Sequence, residues 1–278
     1  MSRTIPASKE SAANLSSPAD TKSAPAVAIR AIYHRFISAD DEVTALRDVS
    51  LDVASGELVA IVGPSGCGKT TLLNLVAGLE DVQEGTVSVL GEFPRSGNTN
   101  IGYLFARDSL LPWRTAFENV CLGMRLRGVP LQEREERAHL LLEAVGLSSF
   151  EKSYRAQLSQ GMRQRVALAR TLALEPRILL MDEPFSALDA QTRLNVQEKF
   201  LALWERTHVT VLLITHDLSE AVSLADRVVI LTKAPGRLKA SFTIELPRPR
   251  RLHDLQGDPT FLEHYAAIWA ELKSEFIE

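Results

Sequence analysis

Cysteine is scarce: Cys67 and Cys121 are the only two in 278 residues. That is too few for a disulfide scaffold and fits a reducing compartment. Long apolar runs are missing too. No segment approaches the roughly 18 consecutive apolar residues of a membrane-spanning helix, and the most apolar stretches, near Leu179 and Val211, have the length of strands. There is no excess of positive charge, since 31 Lys and Arg stand against 35 Asp and Glu for a net charge of −4. Without a bulk positive field to hold a phosphate backbone, no nucleic-acid partner is expected. Residues 1–26 lack the apolar core of a secretory signal, so cytoplasmic residence is expected. What the chain does have is 45% hydrophobic and 24% charged residues, the balance of a globular protein able to bury a core.

Along the chain, residues 1–26 carry Pro6, Pro18 and Pro25 among Ser and Ala and read as a disordered leader, with folded structure starting near Val27. Short β-branched apolar runs follow, at Leu58–Val62, Ile101–Phe105, Ile178–Met181, Val209–Ile214 and Val228–Leu231, and they alternate with segments of helical period. Such alternation predicts a mainly parallel sheet covered by helices. Between about 107 and 174 the strand runs stop, and Leu131–Val145, closed by Gly146, and Gln160–Leu172 read as helices inserted into the α/β core. Glu133 and Arg137 have the i,i+4 spacing of an exposed helical ion pair. The tail reads as a strand-like Ser241–Leu246, a Pro/Arg stretch whose Arg248, Arg250 and Arg251 form a solvated face, and a last helix after Pro259 carrying Phe261, Tyr265, Ile268, Trp269 and Leu272.

The strongest chemical signal is Gly63-Pro64-Ser65-Gly66-Cys67-Gly68-Lys69-Thr70, which matches G-x-x-x-x-G-K-[ST] between a strand and a helix that continues with Thr71. Glycines let such a loop wrap closely, so that its N–H groups and the helix N-terminus can face phosphate oxygens while Lys69 supplies a cation. Thr70 is the candidate hydroxyl ligand for Mg²⁺. A second element, Ile178 to Pro184, delivers Asp182 and Glu183 to the C-terminal end of a strand. Alone this is also an ordinary way to leave a strand. Beside a phosphate loop, Asp182 reads as a holder of Mg²⁺ and Glu183 as the general base that polarises an attacking water. His216 ends another strand, followed by Asp217 as helix N-cap, and would open onto the same sheet edge, within reach of a γ-phosphate.

With these residues in hand, the chain resembles the ATP-binding subunit of ABC transporters. Leu158-Ser159-Gln160-Gly161-Met162-Arg163-Gln164-Arg165 is similar to the family's signature segment, and Ser186-Ala187-Leu188-Asp189 to its D-loop. The resemblance implies a P-loop NTPase (RecA-like) core with a mainly parallel sheet, an antiparallel β portion and an inserted α-helical subdomain. The ATPase domain would span 27–245 and a C-terminal extension 246–278. It implies ATP and Mg²⁺ as cofactors and a head-to-tail dimer of two copies. In that dimer Ser159 and Gly161 contact the γ-phosphate bound at the other copy's Lys69, and Asp189 lies at the shared site. Phe36, or alternatively Tyr33, is the candidate adenine platform. One departure stands out: Gly102-Tyr103-Leu104-Phe105-Ala106 has alanine where the family usually carries a glutamine that reaches Mg²⁺. Either Arg107 or Asp108 substitutes for it, or water does. Cys67 has no required role, and its place at a helix N-terminus predicts some thiolate character.

Leu110-Leu111-Pro112-Trp113-Arg114-Thr115, Leu246-Pro247-Arg248-Pro249-Arg250 and the short tail look like the nitrate/sulfonate/taurine group of bacterial importers. That resemblance implies membrane permease subunits as partners, a periplasmic solute-binding protein acting through them, and a peripheral position on the inner face of the membrane. Leu110–Trp113 is expected to help form the permease socket. The competing class is a soluble ABC ATPase acting on a macromolecular partner. The solute itself is not encoded here, because specificity belongs to the permease and the binding protein.

Overall fold

The computed structural model describes residues 24–37 and 41–276. The expected leader lies outside the described residues over 1–23. Ala26, assigned to that leader, is buried, and its carbonyl accepts the Leu90 N–H at 2.7 Å.

Two sheets organise the chain. In Val27–Ile37 (β1) and Glu42–Val53 (β2), inward Val49, Leu51 and Val53 alternate with outward Ser50 and Asp52, the pattern of a sheet with one wet face. These strands pair antiparallel, and Glu84–Val89 (β4) adds to the free side of β1, giving the order β2-β1-β4. The second sheet contains Leu58–Val62 (β3), Ile101–Leu104 (β5), Ile178–Asp182 (β6), Thr210–Ile214 (β7), Arg227–Leu231 (β8) and Leu238–Thr243 (β9) in the order β5-β6-β7-β3-β8-β9. Its first five strands are parallel and β9 is antiparallel to β8. Every residue of β3, β6 and β7 is buried. Their unbroken apolar runs follow from burial of both sheet faces.

One face of this sheet packs with Lys69–Ala77 (α1) and the three-stranded sheet around Ile29, Leu46, Leu72, Val76 and Leu212. The other face is covered by helices around Val166, Leu168, Phe185, Phe200, Val222 and Ile268. Registers such as Leu58↔Val211 and Asp182↔Ile214 bring the C-terminal ends of β3, β6 and β7 to one edge, where open α/β sheets place their chemistry.

Between β5 and β6 the chain forms Ala116–Leu126 (α2), Leu131–Ala144 (α3) and Gln160–Leu172 (α4). The start of α2 is fixed by a capping box in which Thr115 accepts from the Glu118 N–H and Glu118 accepts from the Thr115 N–H. At the end of α3, Gly146 at φ +70° allows N–H bonds from Gly146 to Glu143 and from Leu147 to Leu142, a Schellman turn. The pair Glu133–Arg137 forms on α3 at 2.8 Å. After β6 come Ala190–Thr207 (α5), Leu218–Leu224 (α6), Leu252–Leu255 (α7) and Pro259–Leu272 (α8).

Two tail expectations need correction. The last strand runs Leu238–Thr243, not Ser241–Leu246, because its ladder to β8 ends at Arg227↔Thr243, where β8 begins. Arg248 and Arg250 are not a solvated face. The Arg250 guanidinium is buried and donates to the carbonyls of Ala225 (2.8 Å), Ser223 (3.0 Å) and Leu246 (3.3 Å). Arg248 pairs with Asp226 at 2.7 Å and lies over the Trp204 ring, 4.2 Å from its centroid. Only Arg251 is exposed. Helix α8 rests on α6 through Phe261, Ile268 and Leu272, while Trp269 turns outward and stacks on Phe276. Among the described residues, no helix is long and apolar enough to cross a membrane.

Candidate functional site

Strand β3 ends at Val62, and Gly63 to Gly68 turn the chain into α1. Gly68 sits at φ +92° as N-cap, with no side chain capping the helix. A Cβ there would come within 2.6 Å of the Leu46 side chain and 2.8 Å of the Ala45 carbonyl, so β2 packs against the loop only if this residue is glycine. Uncapped N–H groups at a helix start form an anion-binding end. The buried Lys69 ammonium donates to the Gly63 and Pro64 carbonyls at 2.8 Å each. Cys67 is fully buried behind the loop. Burial pushes its thiol up, outweighing the pull of Lys69, so the expected thiolate character is not found.

Facing the loop is an open cleft of about 270 Å³ lined by Phe36, Val43, Ser65, Gly66, Lys69, Thr70, Thr71 and Glu183, together with Ala45, Gly68 and Ile214. Phe36 stands 45% exposed at its rim, edge-on to His34. Tyr33 is half-buried and does not line the cleft, which separates the two aromatic candidates. No motif marks Val43 and Ala45, which line the cleft from β2. Its strand alternation next to Phe36 was the available signal.

At the neighbouring strand ends, Thr70 Oγ1 donates to Asp182 Oδ2 at 3.0 Å. Burial pushes the Asp182 carboxyl above the usual carboxylate range; the Glu183 charge adds to the rise, while the Thr70 hydrogen bond and Lys69 oppose it. Glu183 adopts φ +48°, a conformation that costs a residue with a side chain of the order of 1–3 kcal/mol. It is held there by its N–H bond to the Ile214 carbonyl at 3.0 Å and by Ser186 Oγ donating to its own carbonyl at 2.9 Å. The turn aims its carboxylate at His216, with Nδ1 to Oε2 at 3.1 Å. Asp217, next in the chain, caps α6 through the N–H groups of Ser219 and Glu220.

The remaining candidates lie apart from this chain's own cleft. Ser159 caps α4 through the Met162 N–H at 3.2 Å. Gly161 passes close to Leu188, which a Cβ would approach to 3.0 Å. Asp189 caps α5, and the N–H and hydroxyl of Thr192 hold its carboxyl below the usual range.

Beyond β5, Ala106 is exposed, and Asp108 does not stand in for the missing glutamine. Burial alone would raise the Asp108 carboxyl, yet bonds from Arg155 Nε (2.9 Å) and the Leu110 N–H (3.0 Å), with Arg163 Nε at 3.1 Å, hold it low. In the loop expected to meet a permease, Leu110 is buried while Trp113 is 69% exposed. Asn119 fixes the loop from below, accepting the Leu111 N–H and donating to the Leu111, Arg114 and Thr115 carbonyls.

Residues 46–186 match the ABC transporter family. An uncharacterized ABC transporter ATP-binding protein of Methanocaldococcus jannaschii is 46% identical over 238 residues, 86% of this chain and 88% of the relative. The taurine import ATP-binding protein TauB of Escherichia coli K12 is 45% identical over 222 residues, 78% and 87% of the two chains. Among solved structures, the ATP-binding cassette MJ0796, described as a dimer in a post-hydrolysis state bound to ADP and Pi, aligns with a TM-score of 0.72 and 31% identity, covering 80% of this chain and all of that one. The matched region runs through the phosphate loop, the Ser159 segment and the Asp182–Glu183 strand end: this chain belongs to the ABC transporter family, as an ATP-binding cassette that hydrolyses ATP.

Proposed function

We propose that this chain is the energising subunit of an importer, coupling ATP hydrolysis in a two-copy sandwich to uptake of a small solute of the nitrate, sulfonate or taurine type. The observation that carries the chemical half is the convergence of Lys69, the Thr70–Asp182 pair and the Glu183–His216 pair on one sheet edge. The importer half rests on the likeness to a protein named for taurine import.

Thr70 and Asp182 offer two hard oxygen atoms side by side, a donor set that suits Mg²⁺ better than a soft metal. Mg²⁺ bound there would neutralise charge on the transferring phosphoryl group. Lys69, already held by its loop, offsets phosphate charge. The amides of Gly66 to Thr71 orient the phosphates, and Phe36 covers the base. Glu183 takes a proton from the attacking water, and His216 keeps that carboxylate aimed while reaching toward the γ-phosphate.

Ser159 and Gly161 sit at a helix start outside their own chain's cleft, and the solved neighbours are described as dimers. Both facts support a head-to-tail arrangement in which a second copy supplies these residues, with Asp189 nearby. Permease subunits would meet the chain around Trp113, holding it on the inner face of the membrane, and a periplasmic binding protein would deliver the solute to them. The test is the initial ATPase rate per subunit against protein concentration. A rate that climbs with concentration and collapses in Glu183→Gln supports the composite site. A constant rate at every concentration, or activity that survives in the variant, counts against it.

A further inference from the structure

Asp108 receives more charged donors than any function so far assigned to it requires. Its side chain is 10% exposed, and its carboxylate accepts from Arg155 Nε (2.9 Å) and Nη2 (3.2 Å), from Arg163 Nε (3.1 Å) and from the Leu110 N–H (3.0 Å). Charge-assisted bonds of this multiplicity fix geometry more tightly than neutral ones.

The two charged donors flank Ser159 in the chain. Arg155 lies in the turn that ends at Leu158, where the Leu158 N–H bonds to the Arg155 carbonyl at 3.3 Å. Arg163, on the first turn and a half of α4, spends its second arm on the Leu158 carbonyl at 2.9 Å. One carboxylate therefore ties together the residues on both sides of Ser159. The backbone of the same loop is sewn to α4 at three more points. Gln164 donates to the Phe105 carbonyl at 3.2 Å, and Arg170 donates to the carbonyls of Asp108 (3.0 Å) and Ser109 (2.8 Å). The loop around Ala106 is thus fastened to α4 and not to the nucleotide cleft.

We propose that Asp108 is a positioning residue that acts through Arg155 and Arg163 to hold Ser159 and Gly161 in the orientation they present to the phosphate loop of a second copy. The inference rests on the sandwich reading above for its consequence, but not for its geometry. Without the carboxylate, two guanidinium groups face each other with no counter-charge, and the turn at Leu158 loses the brace on its outer side. The effect lands on the partner's ATP. The chain's own cleft, which does not include Asp108, keeps its affinity.

The experiment compares Asp108→Asn and Arg155→Gln, each in the full chain carrying Glu183→Gln, with that background alone. Arg155 is the more exposed partner, so its variant serves if Asp108→Asn does not fold. Three quantities are read. Amide hydrogen exchange over 159–163 without nucleotide is expected to speed up at least tenfold. ATP affinity of the dilute single subunit, followed with a fluorescent ATP analogue, is expected to stay within twofold. ATP-dependent dimerisation in sedimentation is expected to weaken at least tenfold. Unchanged exchange over 159–163 overturns the proposal whatever the dimer does. An ATP affinity that falls as far as dimerisation also overturns it, because Asp108 would then act at its own cleft. If the background chain does not dimerise with ATP, the sandwich reading fails, and the exchange measurement still decides whether Asp108 holds the turn.

Discussion

His216 Nδ1 lies 3.1 Å from Glu183 Oε2, across the ends of two hydrogen-bonded parallel strands. The contact is made from a left-handed turn at Glu183, with φ +48°. Strain at this point thus goes with an imidazole standing beside the carboxylate that the turn presents.

Glu183→Gln is expected to lower the ATP turnover rate by about 10²–10⁴-fold, the usual contribution of a positioned base, with ATP affinity little changed. His216→Ala is expected to lower it less, because the base itself remains. Steady-state kinetics that found KM shifted and turnover intact would remove both residues from the chemical step.

Asp182→Asn and Thr70→Val address the oxygen pair at 3.0 Å. Each is expected to remove the Mg²⁺ dependence of nucleotide binding while leaving the weaker Mg²⁺-free binding in place. Isothermal titration with and without Mg²⁺ reads this directly. An unaltered Mg²⁺ effect in both variants would mean that the metal is held elsewhere.

The phosphate loop, the Asp182–Glu183 strand end, His216 and the cap at Asp217 could all be read from sequence. Each couples a short motif to a secondary-structure boundary, and local chemistry sets such boundaries. What escaped was decided by distant partners. Nothing near Arg250 says that five carbonyls, those of Val222, Ser223, Ala225, Ile244 and Leu246, will surround its guanidinium. A helix N-terminus predicts some thiolate character for Cys67, but packing buries the thiol and pushes its pKa up. Asp108 is one of three stand-ins that the sequence leaves open beside Ala106, with Arg107 and water, and only the fold brings Arg155 and Arg163 to it. The Thr115–Glu118 capping box, by contrast, is a local signal that the sequence carries in full.

Arg250 provides a test of the tail. Burial lowers its guanidinium pKa to about 10, with Arg248 adding to the effect and Asp226 and Glu205 opposing it. Arg250→Met leaves several buried carbonyls without donors, at roughly 1–3 kcal/mol for each unsatisfied group. A stability loss of about 3 kcal/mol is expected, which corresponds to a Tm drop of about 5 °C for a chain of this size. ATP affinity should stay unchanged, because the arginine fastens the tail to α6 and touches nothing in the cleft. A Tm within 2 °C of the parent, read by calorimetry, would contradict this account.

Glu220 gives the pH prediction. Burial pushes its carboxyl up to about 8; Asp217 adds to the rise and Arg193 opposes it, with smaller effects from Thr215, which lowers it, and Glu183, which raises it. Gln197 Nε2 donates to Oε2 at 3.1 Å, while Oε1 has no partner. A folded-state pKa raised above the unfolded value means that the native state binds the extra proton. This group's contribution to stability is therefore fully present below about pH 4.5 and is lost as pH rises toward 8, at roughly 1.4 kcal/mol per pH unit at most. Glu220→Gln keeps the shape and cannot ionise. Relative to the parent, its Tm should gain steadily from pH 5 to pH 8, with the two proteins closest at pH 5. Parallel Tm profiles across that range would mean that Glu220 is ionised in the native protein and that Arg193 and Gln197 suffice to hold its charge.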